Sequence, residues 1–233
     1  MYYILHGMGK KWRPLAIFFA LAGVLVALFG IGTMTQVNAI TGALKTSFQI
    51  SPQVASLVIA GIVSAVIFGG IHWISKVSEK VVPFMAAAYI FATVYILVLN
   101  MDQLPTVLSQ VFQGAFTGTA AIGGFSGALV KEAIQKGVAR GVFSNESGLG
   151  SAPIAAAAAK TEEPVEQGLI SMTGTFIDTI IICSLTGLAI LVTGQWTTVG
   201  EVESDLTQQV FISTFGHIGG IILTLCLVLF ATT

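Results

Sequence analysis

Five long apolar blocks dominate the pattern of this chain: residues 15–32, 54–71, 81–99, 168–193 and 218–231. Each is near the roughly 20 residues a helix needs to cross a hydrocarbon core, so the pattern predicts five spanning helices. Pro83 falls near the start of the third block, where a proline costs little. The first block carries no charge and passes into a polar end at Thr33, Thr35, Gln36 and Asn38.

The region from Asp102 to Lys160 differs. It is rich in glycine, alanine, serine and threonine, with an amphipathic piece at 129–140. Pro105 and Gln113 mark a short surface helix before it. Gly114 with Gly118, and Gly123 with Gly127, are small-residue pairs that allow close helix approach. A polar, glycine-rich stretch then follows: Gly141-Val142-Phe143-Ser144-Asn145-Glu146-Ser147-Gly148-Leu149-Gly150-Ser151-Ala152-Pro153. Backbone that leaves the helix at membrane depth is tolerated only where protein or a watery cavity supplies partners for its N–H and C=O groups. The pattern therefore predicts one discontinuous helix, with halves at 126–142 and 151–159 around a break. Such breaks point to binding sites in transporters; an ordinary loop between two helices is the bland alternative.

Composition agrees with a membrane class. Of 233 residues, 55% are hydrophobic and 9% charged, against roughly 25% charged in soluble domains. The net charge of −1 gives no reason to expect nucleic acid as a partner. Cys183 and Cys226 sit in separate apolar blocks and read as small hydrophobes. No signal peptide is visible. With the amino terminus inside, Lys10, Lys11, Arg13, Lys76, Lys80 and Lys160 are cytoplasmic and only Lys45 is outside, as the positive-inside rule asks. Lys131, Lys136 and Arg140 break that rule. They face a water-filled vestibule, pair with Glu132 or Glu146, or mark an error in the topology.

Few residues look like chemistry. Asn145 and Glu146 belong to the break, where free carbonyls and helix ends can hold a cation or a zwitterion, and Phe143 offers an apolar wall beside them. Asp178 lies well inside the fourth block, and an ionisable group within a membrane marks function by default. Ser171, Thr175, Asp178 and Thr186 share one face at helical spacing. The alternative for Asp178 is a structural hydrogen bond to neighbouring helices. Gln36 has a donor and an acceptor suited to either end of an amino acid, or it caps the first block at the interface. His72, Trp73 and Lys76 read as an interface anchor, and His217 as a helix-end residue. Gly124-Phe125-Ser126-Gly127 fits the GxSG pattern of intramembrane serine proteases, with His217 as partner to Ser126. Short glycine patterns arise freely among 26 glycines, and nothing suggests an oxyanion hole.

The stretch from Gly141 to Ala155 closely resembles the signature of the alanine/glycine:cation symporter family. So do Met172-Thr173-Gly174-Thr175-Phe176-Ile177-Asp178-Thr179, Met1-Tyr2-Tyr3-Ile4, Gly30-Ile31-Gly32-Thr33-Met34-Thr35-Gln36 and Val82-Pro83-Phe84-Met85. The resemblance covers essentially the whole chain. It implies a multi-pass plasma-membrane protein that carries a small amino acid, such as alanine or glycine, with sodium or protons by alternating access. No cofactor beyond the coupling ion is implied. The implied fold is part of an all-α, leucine-transporter-type inverted-repeat bundle, with five full spans and one discontinuous helix in a single domain over 1–233.

By the same resemblance, Gln36 approaches the bound amino acid, Phe143 covers its side chain and Asn145 holds its polar end. The expected substrate-binding set is Gln36, Phe143, Ser144, Asn145, Glu146 and Asp178. Ser147 and Thr33 depart from the family's usual alanine and asparagine. Members are about twice as long, so the chain is expected to be an internal fragment that lacks the earlier broken helix. The sodium site then lies largely outside it, with Thr232 and Thr233 at its margin. Missing helices on another chain, or a non-transporting fragment that packs against full-length relatives, are the corresponding expectations for partners.

Overall fold

The computed structural model describes residues 2–29, 33–116, 123–145, 150, 152–156, 159–161, 163–197 and 203–231. Every regular element among them is helical. A short helix α1 (Tyr2–Met8) and a 3-10 turn (Lys10–Trp12) fold back onto α2 (Arg13–Phe29). Then come α3 (Thr33–Phe48), α4 (Pro52–Phe68), α5 (Gly70–Leu99), α6 (Leu104–Phe116), α7 (Gly123–Ser144) and the short α8 (Ala152–Ala156). Helix α9 (Pro164–Thr175) continues through a π-helical segment (Phe176–Cys183) into α10 (Ser184–Thr193). A hairpin of α11 (Glu203–Phe215) and α12 (His217–Ala231) follows.

Among the described residues, three helical stretches are long and apolar enough to cross a membrane: Lys10–Phe29, Trp73–Leu99 and Pro164–Thr193. Helices α4 and α12 are apolar but shorter, at 17 and 15 residues. Five apolar helices thus occupy the five predicted blocks, and three of them reach full spanning length. The third block needs a correction. Helix α5 begins at Gly70, so Pro83 lies in its interior and not near its start. Lys76 and Lys80 are helical as well. Ile74, Val77 and Val81 recur at helical spacing and are half-buried, so the helix runs on past the charges. Pro83 removes the donor that would otherwise reach the Glu79 carbonyl, a loss that membrane helices tolerate when neighbours re-satisfy the backbone.

The core gathers where α5, α10, α11 and α12 meet, around Ile96, Ala189, Val210, Phe211 and Leu223. Aromatic rings lock these helices together: Tyr89 stacks on Phe211 at 5.7 Å and Tyr95 on Phe215 at 5.4 Å between centroids. Offset pairs of this kind add to simple area burial. The α11–α12 hairpin turns at Gly216, whose φ of 65° is left-handed and open to glycine at no steric cost. Its two helices then approach so closely that a Cβ on Gly219 would lie 2.2 Å from the Phe211 carbonyl oxygen.

Helix α3 joins this unit through buried polar groups. Gln208 Nε2 donates to Ser47 Oγ (3.0 Å) and to the Ala43 carbonyl (3.3 Å). The Ser47 and Thr224 hydroxyls share a hydrogen bond at 2.9 Å, and Thr224 also donates back to Gly220 (2.7 Å). These helices form the frame against which the remaining segments are placed.

Candidate functional site

Helix α7 ends at Ser144, and Asn145 caps it. The Asn145 backbone N–H reaches the Gly141 carbonyl at 3.3 Å, and its side-chain Nδ2 donates to the same oxygen at 3.0 Å. Two helices flank the glycine-rich motif, so the discontinuity read from the sequence is present. Helix α7 extends past both ends of the expected amino-terminal half, and α8 lies within the expected carboxy-terminal half. Between them only Asn145 and Gly150 are described; Glu146 lies outside the described residues, and the Phe143 side chain lies outside them too. Residues 131–142 of α7 are exposed, Lys131, Lys136 and Arg140 among them.

The end of α7 docks on the π-helical segment. Ser144 Oγ donates to Asp178 Oδ2 and lies 3.8 Å from Cys183 Sγ. Asn145 Nδ2 donates to Thr179 Oγ1 at 2.8 Å, and the Thr179 hydroxyl donates to Asn145 Oδ1 at 3.1 Å. Asp178, Thr179 and Asn145 are half-buried, and Ser144 is exposed. π-Helical turns are rare and recur at functional sites.

The members of the predicted polar stripe meet different neighbours. Asp178 and Thr179 face α7. Thr186 instead bonds the Tyr89 hydroxyl of α5 at 2.6 Å and the Ile182 carbonyl at 2.7 Å. Ser171 and Thr175 remain exposed on α9.

The hydrogen-bonding capacity of the cluster has a definite sign. Both N–H donors of the Asn145 amide are occupied, by Gly141 and Thr179. What it retains is acceptor capacity on Oδ1, since an amide oxygen has two lone pairs. The Asp178 carboxylate accepts only, and the end of α7 carries the negative pole of its dipole. Among the described residues, the capacity that Asn145 and Asp178 retain suits a positive charge.

Comparison with known proteins identifies the setting. The model of the sodium:alanine symporter family matches residues 1–233. The chain belongs to the sodium:alanine symporter family. It is 49% identical over its full length to a Haemophilus influenzae protein described as an uncharacterized transporter, covering 51% of that protein. It is 45% identical to the Methanococcus maripaludis sodium/alanine symporter AgcS over 97% of this chain and 49% of the relative. A probable sodium/glutamine symporter of Bacillus subtilis, GlnT, is 38% identical over 94% of this chain and 44% of the relative. The chain spans about half the length of these relatives.

The relatives are transporters, which leaves the protease reading of Ser126 and His217 without support. Of the site expected in this symporter family, the structure brings Ser144, Asn145 and Asp178 together. Gln36 is exposed on α3, which packs against α4, α11 and α12. No hydrogen bond among the described residues joins it to Asn145. Thr232 and Thr233 lie outside the described residues. Thr179 and Cys183 are the contacts that sequence reasoning missed. Thr179 adjoins Asp178 in the chain, and both meet the end of α7 from the π segment.

Proposed function

We propose that this chain forms part of a symporter that moves a small amino acid, alanine or glycine, with sodium or protons by alternating access. In this reading the end of α7 and the π segment make one wall of the substrate site, within a leucine-transporter-type repeat fold. The observation that carries it is the α7–π junction, where Asp178 and the Asn145 carbonyl oxygen keep acceptor capacity beside a helix break. Family membership, with relatives described as sodium/alanine and sodium/glutamine symporters, supports an amino acid as the substrate class.

The chemistry follows from the sign of the site. Acceptors at a helix carboxy-terminal end suit the ammonium group of an amino acid, or the coupling cation beside it. The carboxylate end needs donors from elsewhere. Gln36, carried on the α3 frame, is the candidate within this chain, and it must approach the α7 wall in the closed state. Coupling arises when cation and substrate each bind the closed state more tightly than the open one, because a ligand shifts an equilibrium only through differential affinity.

Sodium-driven uptake of labelled alanine in proteoliposomes, with the chain restored to the length of its relatives, tests the reading; no uptake by that form with an imposed gradient of either cation rejects it. Calorimetry tests the residues. Gln36→Ala and Asn145→Ala weaken amino-acid binding about 10- to 100-fold, the scale of a lost partner in a desolvated site. His72→Ala leaves it unchanged. Equal affinities for all three variants reject the assigned site.

A further inference from the structure

Helix α2 exposes most of its apolar surface, with Phe18, Leu21 and Leu28 more than half exposed. Phe19 is different: it is half-buried and turned against the segment that follows the helix break. Gly150 lies there with φ +76°, and a Cβ added to it would sit 2.8 Å from Phe19 Cε2 and 3.2 Å from Cζ. The same ring meets Tyr3 of α1 edge-on at 5.9 Å between centroids. Ile4 and Ala16 are buried in the same α1–α2 hairpin.

We propose that the Tyr3–Phe19 pair is a positioning device that holds Gly150 against α2 and thereby limits the travel of α8 during transport. The inference rests on the reading of the break as a site wall, and extends it to residues on a helix that supplies no polar group. Two constraints converge on Gly150. Its left-handed backbone disfavours any side chain, and the aromatic edge leaves no room for one. Phe19 therefore acts through Gly150 and not on the substrate. The aromatic contact is short-range, so a small swing of α8 breaks it. It biases the arm toward the docked position without fixing it there.

Hydrogen exchange of peptides covering residues 150–161 tests this in the purified protein. Phe19→Ala raises their exchange rate about tenfold, as expected when a local opening is eased. Phe19→Tyr, which keeps the ring, restores the original rate. In uptake assays Phe19→Ala changes the maximal rate while amino-acid affinity stays within about twofold, since the ring supplies no polar group to a ligand. Unchanged exchange in Phe19→Ala overturns the proposal, as does equal disruption by Phe19→Tyr. A rise that extends through α11 and α12 also overturns it, because the ring then supports the whole fold. Absence of uptake by the form restored to the length of its relatives rejects the transporter reading alone, because exchange at 150–161 reads the aromatic pair without transport.

Discussion

The crossing of α3 with α11 and α12 and the junction of α7 with the π segment are both built from hydroxyl and amide side chains in an apolar chain. They differ in closure. At the crossing Gln208 and Thr224 are 2% and 0% exposed, and their hydroxyls and the amide N–H donors find partners on neighbouring helices. At the junction Ser144 is exposed, Asp178 and Asn145 are half-buried, and acceptor capacity remains on the side open to a ligand. A polar network buried between helices holds them together. One left partly exposed at a helix break is equipped to bind.

The sharpest break of this comparison is steric. Gly219→Ala places a methyl group against the rigid Phe211 backbone, with no flexible side chain to yield. Overpacking of this kind costs about 3 kcal/mol, and the protein should lose its folded, monodisperse fraction in detergent chromatography. A well-folded Gly219→Ala protein with an unchanged thermal midpoint would show that the crossing is not a rigid frame.

Next in size is Asp178→Asn, which keeps the side-chain shape and removes the charge. Hydrogen bonds to charged groups contribute about 1.5–3 kcal/mol, so amino-acid affinity should fall about 10- to 100-fold with little change in thermal midpoint. A large loss of stability at unchanged affinity would move Asp178 to the structural side of the comparison.

The smallest effect belongs to Thr224→Val. It removes the hydroxyl that meets Ser47 and Gly220. Interhelical hydrogen bonds in membranes average about 0.6 kcal/mol, so stability should fall by about 1 kcal/mol while amino-acid affinity is unchanged. An affinity loss as large as that of Asp178→Asn would join the two regions into one site.

The fold was legible where long-range contacts matter least. Five apolar blocks became five apolar helices because a run of apolar residues without breakers satisfies its backbone only as a helix in lipid. The start of α5 was not legible, since Lys76, Glu79 and Lys80 look like a loop until the half-buried Ile74, Val77 and Val81 beside them carry the helix through. Asp178 stood out as a carboxylate in an apolar block. Its partner Ser144 lies 34 positions away, and no local pattern pairs the two. The stripe from Ser171 to Thr186 was legible as a spacing, but not its partners: Asp178 meets Ser144 of α7 and Thr186 the Tyr89 hydroxyl of α5.

The amino-acid order alone determined that the chain is helical and apolar, that it breaks at a glycine-rich motif, and which family that motif marks. These are local or compositional properties, set by hydropathy, turn residues and a run of specific side chains. Only the tertiary structure decided which polar groups are buried together and which stay open. It closed Ser47, Gln208 and Thr224 on one another, left Asn145 and Asp178 with acceptors to offer, and seated Phe19 on Gly150. A hydrogen bond is counted as spent or available only once its partner is in place, and those partners come from helices far apart in the chain.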